Sequence, residues 1–326
     1  MEHGGSKVGA GKDGIVAPTM EHEGSKVDAG NDGIHSIPPV TYRGKVRDVY
    51  DLGDQMLLVS SDRLSAFDVV FGDAIPEKGK ILNSISAHWF SLLKDFPHHF
   101  ISANLADLPT AFRSVAFEGR AALVKKTQRI DFECVVRGFL MGSGFKEYQV
   151  SQTLAGEKLP AGLVRGAVLP EPRFTPAVKN DTGHDENISY AEMQARLPQH
   201  AETLKQKSLQ LFAFAFAALK DRGIYLLDTK FEFGLLNGGL LLIDEIFTPD
   251  SSRFVKIEAY NKAMALGVEI PTMDKQIVRD YVESIGWNKQ PPAPRLPAEV
   301  IQKTVAQYRK MQTTILSITS ELTSKK

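Results

Sequence analysis

Asp228, Lys230 and Glu232 are charged residues spaced by two inside a β-rich run from Ile224 to Phe233. A strand turns successive side chains to opposite faces, so these three share one face while Leu227, Phe231 and Phe233 share or approach the other. A second β-rich run, Leu240 to Phe247, follows Asn237-Gly238-Gly239, residues that tolerate the positive φ of a tight turn. The two runs therefore read as a hairpin. With a three-residue turn centred on Gly238, Glu232 faces Asp244, and two carboxylates converge beside a lysine. Like charges at that distance repel unless a cation lies between them, and few, hard oxygen ligands suit Mg²⁺ with nucleotide phosphates completing its shell. The same pattern also fits an exposed strand face carrying a weak Lys–Glu pair, and a register slip of one would turn Asp244 away.

The 326 residues suffice for one large domain or two smaller ones, and 43% hydrophobic with 24% charged residues is ordinary for a soluble globular chain. Lys+Arg and Asp+Glu are 39 each, so no net charge draws nucleic acid or an anionic membrane, and anionic ligands must be gathered by local clusters. The lone Cys134 excludes an intrachain disulfide and a multi-cysteine zinc site, and fits a reducing, cytoplasmic compartment. The sequence offers neither a membrane-length apolar stretch nor a secretory signal.

MEHGGSKVGAGKDGI at Met1 recurs as MEHEGSKVDAGNDGI at Met20, and residues 1–38 read as a disordered, repeat-containing tail. Its G-x-G-x-x-G at Gly9 has no strand before it or helix after it, so it is not read as a nucleotide loop. Tyr42 to Tyr50 and Gln55 to Ser60 predict a strand pair turned at Leu52-Gly53-Asp54. Gly44 between Arg43 and Lys45 suits close approach of a phosphate, or the basic run protects a sheet edge. SSDRLSAFDVV (Ser60 to Val70) reads as a polar loop, followed by a helix capped by Asn83 and Ser84. FECVVRG runs into Gly142-Ser143-Gly144, a turn where Arg137 either grips an anion or ties the backbone down. The prolines of 151–183 read as a long loop, Ser189 opens a helix through a capping box, and a final helix runs from Pro297 to about Leu322.

Taken jointly and in order, GKVRDVY, SSDRLSAFD, IPEKGKILNSIS, FECVVRGFLMGSGFKEY, FTPAVKNDTGHDENIS, LLDTKFEFG, IDEIFTPDSSRF and DKQIVRDY resemble the SAICAR synthetase (phosphoribosylaminoimidazole-succinocarboxamide synthase) family over roughly residues 40–310. The resemblance implies a two-part α+β fold related to ATP-grasp and kinase-like architectures, with ATP in the cleft between the parts and a C-terminal helix. The implied boundaries are 39–127 for the nucleotide-binding part, 128–288 for the catalytic and substrate part, and 289–326 for a linker and helix. It implies an ATP- and Mg²⁺-dependent ligase of purine biosynthesis that joins L-aspartate to carboxyaminoimidazole ribonucleotide (CAIR). Partners are then small molecules, with no nucleic acid and no membrane, and the chain a monomer or small homo-oligomer. A small-molecule kinase and a non-catalytic purine-nucleotide binder are the alternatives.

Carried over by motif, Gly44, Lys45, Val46 and Arg47 cover the nucleotide phosphates, and Leu123 to Lys126, with Val124 and Lys125, lie beside adenine. Lys230, Glu232 and Asp244 fall on the phosphate lysine and the Mg²⁺ carboxylates. Arg137, Ser143 and Arg253 fall on the ribonucleotide site, and Lys179 and Asp185 on a loop that reaches the reacting groups, Asp185 being the candidate base. Ser65 and Asp68, with Lys80 and Asn83 nearby, are the candidate surround of aspartate. The stretch from Val255 to Met273 departs from the family pattern, and the repeated tail has no counterpart in it. Deleting residues 1–36 is therefore expected to leave turnover and melting temperature unchanged, and a clear loss of either would show that the repeat serves the enzyme.

Overall fold

A computed structural model describes residues 37–180 and 185–318, so the repeat-containing tail lies outside the described residues. Strands β1 (Tyr42–Arg43), β2 (Arg47–Asp51), β3 (Gln55–Ser60), β4 (Arg63–Ala66) and β5 (Val69–Ala74) lead into helix α1 (Lys78–Leu92). Strands β6 (Phe100–Ser102), β7 (Ala121–Lys125), β8 (Gln128–Arg129) and β9 (Phe132–Phe139) precede α2 (Gly142–Ser151). Then come β10 (Thr153–Leu154), β11 (Glu157–Lys158), β12 (Val168–Val178), β13 (Glu186–Asn187), α3 (Tyr190–Arg196) and α4 (Ala201–Lys220). The chain continues through β14 (Ile224–Leu236), β15 (Gly239–Ile243), β16 (Ser252–Lys256), α5 (Ile257–Leu266), α6 (Gln276–Ser284) and α7 (Ala298–Leu316). The fold is thus α+β.

Two antiparallel sheets carry it, one ordered β1-β2-β3-β7-β6 and one ordered β13-β12-β9-β14-β15, with β16 and β8 also pairing β14. The apolar stripe of α4 (Leu204, Leu211, Phe212, Ala215, Leu219) and that of α1 (Ile81, Ile85, Trp89) meet Leu226, Phe231 and Phe233 of β14 in the largest core. Helix α1 starts hard against β3: a Cβ on Gly79 would stand 2.3 Å from Ser60 O, so only glycine permits the approach. Among the described residues no helix is long and apolar enough to cross a membrane.

Several local expectations are corrected. SSDRLSAFDVV is not a loop but the hairpin β4–β5, turned through Phe67 and Asp68 in the left-handed region. Leu64, Ala66 and Phe71 pack on Val278 and Val282 of α6, and this tertiary burial makes strands of a segment whose polar residues suggest a loop. Helix α1 begins at Lys78, so Asn83 is interior and its amide donates to Gly119 O and Ala121 O at 3.0 and 3.3 Å. The proline-rich stretch holds an eleven-residue strand, β12. Pro170 and Pro172 fall where its pairing with β9 is irregular. Pro176 O accepts from Ile188 N, so the missing Pro176 N–H faces the edge side rather than β9. The Ser189 cap does form, accepting from Glu192 N at 3.1 Å.

One buried ionic knot ties α1, the turn before β16 and the last two helices together. Asp250 lies 2.7 Å from the fully buried Lys78 Nζ and 3.9 Å from Lys275 Nζ, and accepts from Tyr308 OH at 2.8 Å. Burial opposes the Asp250 charge, but Lys275 and Lys78 outweigh it and hold the carboxyl below its ordinary range. Its stabilisation is then complete above the ordinary aspartate pKa of 3.8 and fades as pH falls below it. Asp250→Asn leaves Lys78 without a counter-ion and is expected to cost about 3 kcal/mol or more in urea unfolding at neutral pH. The gap to wild type should narrow in acid; a gap that stays constant with pH would contradict the pairing.

Candidate active site

Strand β14 positions the site. Leu226 pairs with Phe254 and Asp228 with Arg253, so β14 spends two residues where β16 spends one. The bulge shifts the side-chain phase: Leu226 joins the main core with Phe231 and Phe233, whereas Leu227 packs apart, with Phe139 and Val255. It leaves Asp228, Lys230 and Glu232 on one face. Strand β9 lies beside it with Asp228 opposite Arg137 and Lys230 opposite Val135, which brings Arg137 and Glu133 to the same face.

Lys230 Nζ donates to Glu133 Oε1 and to Glu232 Oε1, both at 2.7 Å. Lys179, just past β12, donates to the same Glu232 oxygen. Burial disfavours both charges of the central pair. Glu232 and Glu133 nonetheless hold Lys230 well above the usual lysine range, and Lys230 and Lys179 hold Glu232 below the usual carboxylate range. Burial raises Glu133, with Lys230 opposing it and the Asp185 charge adding to the rise. Asp185 Oδ1 accepts from Asn180 N at 3.0 Å, so it sits beside this cluster, while residues 181–184 lie outside the described residues.

Asp244 arrives by a route different from the expected one. The turn is two residues, Asn237 and Gly238, both at positive φ, and Glu232 therefore opposes Ile243 rather than Asp244. The second strand ends there; Asp244 comes next in the left-handed conformation at φ 64° instead of continuing the ladder to Phe247. Past that bend Asp244 still acts, together with Glu232, on the charges of Lys230 and Arg47. Arg47, at the start of β2, pairs with Asp244 Oδ1 and lies 3.4 Å from Glu245 Oε2. Burial works against the Arg47 charge, but Asp244, Glu245 and Glu232 outweigh it and raise its pKa. Behind Asp244, the His99 ring nitrogen Nε2 is 3.3 Å from its carbonyl oxygen, and burial pushes that imidazole down to about 4.

Glu232 and Asp244 each have one oxygen held by cations; among the described residues nothing donates to the other. Those two oxygens are hard donors of the kind Mg²⁺ takes. No group of three or more His, Cys, Asp or Glu that could hold a metal occurs among the described residues, so the remaining ligands would have to be phosphate oxygens and water. The donor set fits a phosphate-bound Mg²⁺ and not a protein-caged metal.

A second cluster lies one pleat along β14. Arg137 donates from Nε to Thr175 Oγ1 at 3.0 Å, from Nη1 to Asp228 Oδ2 at 3.1 Å and from Nη2 to Ser143 Oγ at 2.9 Å. Arg253 Nη1 donates to the same Asp228 oxygen at 2.5 Å. Gly142-Ser143-Gly144 is the first turn of α2 rather than a free turn. A Cβ on Gly142, at φ 56°, would stand 2.6 Å from the Arg253 guanidinium nitrogens, so glycine lets the helix start rest on that arginine. Two guanidiniums share Asp228 beside a helix start whose Met141 N-cap gives no side-chain hydrogen bond, an arrangement suited to a phosphate.

The remaining predicted residues are more scattered. Lys45 pairs with Asp68 at 2.8 Å, bringing the Gly44–Arg47 loop to the β4–β5 turn, and Ser65 O accepts from Lys275 Nζ at 3.0 Å. Val124 is buried in β7; Lys125 is exposed, its N–H on His99 O; Lys126 pairs with Asp51 at 2.6 Å. Lys80 packs its stem near Gly119, and the Asn83 amide is spent on the Gly119 and Ala121 carbonyls. Sequence reading missed Glu133, Glu245, Lys275 and the sharing of Asp228 by two arginines. Glu133 was legible, since it stands four residues before Arg137 on one strand and hence on its face.

Comparison with known proteins agrees over nearly all of the described chain. The family model described as SAICAR synthetase matches residues 40–294. The chain is 53% identical over 283 residues to the phosphoribosylaminoimidazole-succinocarboxamide synthase of Leptospira interrogans serogroup Icterohaemorrhagiae serovar copenhageni, covering 86% of this chain and 98% of that one. It is 48% identical over 274 residues to the protein of the same name from Thermodesulfovibrio yellowstonii, covering 82% and 92%. Its fold is similar to that of the SAICAR-synthase from Saccharomyces cerevisiae complexed with SAICAR, with TM-score 0.76, 32% identity and coverage of 88% and 97%.

Proposed function

The chain belongs to the SAICAR synthetase family, and from that membership we propose that it joins L-aspartate to the carboxylate of CAIR, with cleavage of ATP to ADP and phosphate, to give SAICAR in de novo purine biosynthesis. The observation that carries the residue roles is that β14 presents the Lys230–Glu232 cluster and the Asp228–Arg137–Arg253 cluster on one sheet face.

A carboxylate is a poor acyl donor because its oxygen does not leave. The CAIR carboxylate oxygen therefore attacks the γ-phosphorus of ATP, ADP departs and an acyl phosphate forms. The neutral amine of aspartate then attacks the acyl carbon, phosphate leaves with the C–O electron pair, and the amine gives up a proton. Such chemistry asks of the protein mainly positioning and charge neutralisation. The 44–47 loop and Lys230 meet the triphosphate; Arg137, Ser143 and Arg253 hold the ribonucleotide phosphate. Glu232 and Asp244 hold Mg²⁺, which when bound draws charge from the phosphate oxygens. Lys179 and Asp185 stand by the reacting groups, Asp185 as the acceptor of the amine proton, and Ser65 and Asp68 border the aspartate side. Residues 39–127 form the nucleotide part and 128–288 the substrate part, with ATP in the cleft between the parts. The enzyme acts in the cytoplasm as a monomer or small homo-oligomer.

The test is ADP release with MgATP and CAIR, with and without L-aspartate, following the imidazole product. Product formed one-to-one with ADP and only with aspartate is expected; ADP formed regardless of aspartate would indicate a kinase, and binding without turnover a non-catalytic binder. Glu232→Gln should lower turnover by about 10²-fold or more with the fold intact. Near-normal activity with unchanged Mg²⁺ dependence would remove Glu232 from the metal.

A further inference from the structure

The Gly44–Arg47 loop is gripped by its carbonyls. Arg63, on β4, donates from Nη2 to Gly44 O at 3.1 Å and to Asp48 Oδ1 at 2.7 Å, and from Nε to Lys45 O at 3.2 Å. The next carbonyl, Val46 O, accepts from Ser61 N at 3.0 Å and from Ser61 Oγ at 2.7 Å. Ser61 Oγ in turn accepts from Arg63 N at 3.3 Å. Gly44 N closes the turn on Arg47 O at 2.8 Å.

Three successive carbonyls are thus drawn to residues 61–63, and peptide planarity then sets the direction of the N–H groups. In a trans peptide the C=O and N–H point in opposite directions, so holding Gly44 O turns the Lys45 N–H away from Arg63, and holding Lys45 O does the same for the Val46 N–H. Neither N–H has an acceptor among the described residues. Successive outward N–H groups form an anion-binding concavity.

We propose that Arg63 is a positioning residue for the nucleotide: by holding the carbonyls of Gly44 and Lys45 it presents the N–H groups of Lys45 and Val46 as a preformed pair of donors to the oxygens of a triphosphate. The proposal rests on the reading of residues 44–47 as the phosphate loop. The planar fork of arginine meets three acceptors from two of its nitrogens, which a lysine ammonium cannot do in fixed geometry. Arg63 is only partly buried and bonds to no core side chain, so its hydrogen bonds bear on the loop more than on the fold.

The test compares Arg63→Ala and Arg63→Lys with Lys45→Ala. It measures KM for ATP, CAIR and aspartate, binding of inorganic tripolyphosphate and of adenosine, and the NMR shifts of the Lys45 and Val46 amides when tripolyphosphate is added. Arg63→Ala is expected to raise the ATP KM and weaken tripolyphosphate binding by about tenfold, the effect of losing two oriented hydrogen bonds. Adenosine binding, the other two KM values and the melting temperature should stay near wild type, and Arg63→Lys should fall between. In wild type both amides should shift with tripolyphosphate; in Arg63→Ala they should not. Equal rises in all three KM values with a lowered melting temperature would make Arg63 merely structural and overturn the proposal. A silent Arg63→Ala beside an impaired Lys45→Ala would overturn the role of Arg63 alone. If Lys45→Ala is silent and the wild-type amides do not respond, the phosphate-loop reading fails and the proposal with it. Should Arg63→Ala not fold, Arg63→Lys and the wild-type amide shifts decide.

Discussion

Lys230 puts an ammonium group on a sheet face largely closed to water, and the surroundings of β14 are arranged to neutralise it. Burial alone would favour the neutral amine; Glu133 from β9 and Glu232 from its own strand reverse that preference. Glu232, now itself buried, takes a second cation from Lys179, and Asp244 takes Arg47 from the other sheet. Such pairs stabilise little relative to apolar packing, yet removing one member leaves a buried charge exposed to the full desolvation cost. The cluster therefore specifies geometry more than it adds stability. Its acids also outnumber its bases: Glu133, Glu232, Asp244 and Glu245 face Lys179, Lys230 and Arg47. A triphosphate would meet a site without spare positive charge, which is why the proposed function includes a divalent cation entering with it.

The second cluster is built on the same logic with the sign reversed. Asp228 receives both Arg137 and Arg253, and Arg253 lies 4.0 Å from Asp274, which Arg279 of α6 holds at 2.6 Å. Gln307 of α7 donates to Asp274 O at 2.9 Å. Helices distant in sequence thereby fix the arginine that rests under the start of α2. Here cations exceed the shared carboxylate, and burial lowers the pKa of Arg137 while Asp228 raises it. In the proposed function the ribonucleotide phosphate brings its negative charge to this point.

What the sequence disclosed depends on the range over which each feature is determined. Alternation within one strand is local, so the shared face of Asp228, Lys230 and Glu232 was legible, as were the β2–β3 turn and the Ser189 cap. The facing of Glu232 and Asp244 was read through a wrong register: Glu232 opposes Ile243, and Asp244 leaves the ladder in the left-handed conformation to pair with Arg47 from the other sheet. The β4–β5 hairpin and β12 were misread because their strands form only against partners far along the chain, α6 in one case and β9 in the other. Glu133 was hidden by the apolar run around it, although its spacing from Arg137 carried the information. The motif resemblance supplied Arg137, Ser143 and Arg253 together, which no spacing rule links.

The two clusters share one face of β14 because of the strand repeat. Asp228 and Lys230 are two residues apart on the same face, roughly 6–7 Å along β14. The bulge opposite Arg253 shifts the phase of β14, so that Leu226 shares the core with Phe231 while the triplet keeps the other face. In the proposed function the ribonucleotide phosphate lies at Arg137 and Arg253, and its far end is directed toward Lys230 and Glu232, where the 44–47 loop brings ATP. One strand thus sets the separation between the two clusters, while the 44–47 loop is held separately, through its carbonyls, by the hairpin beside it.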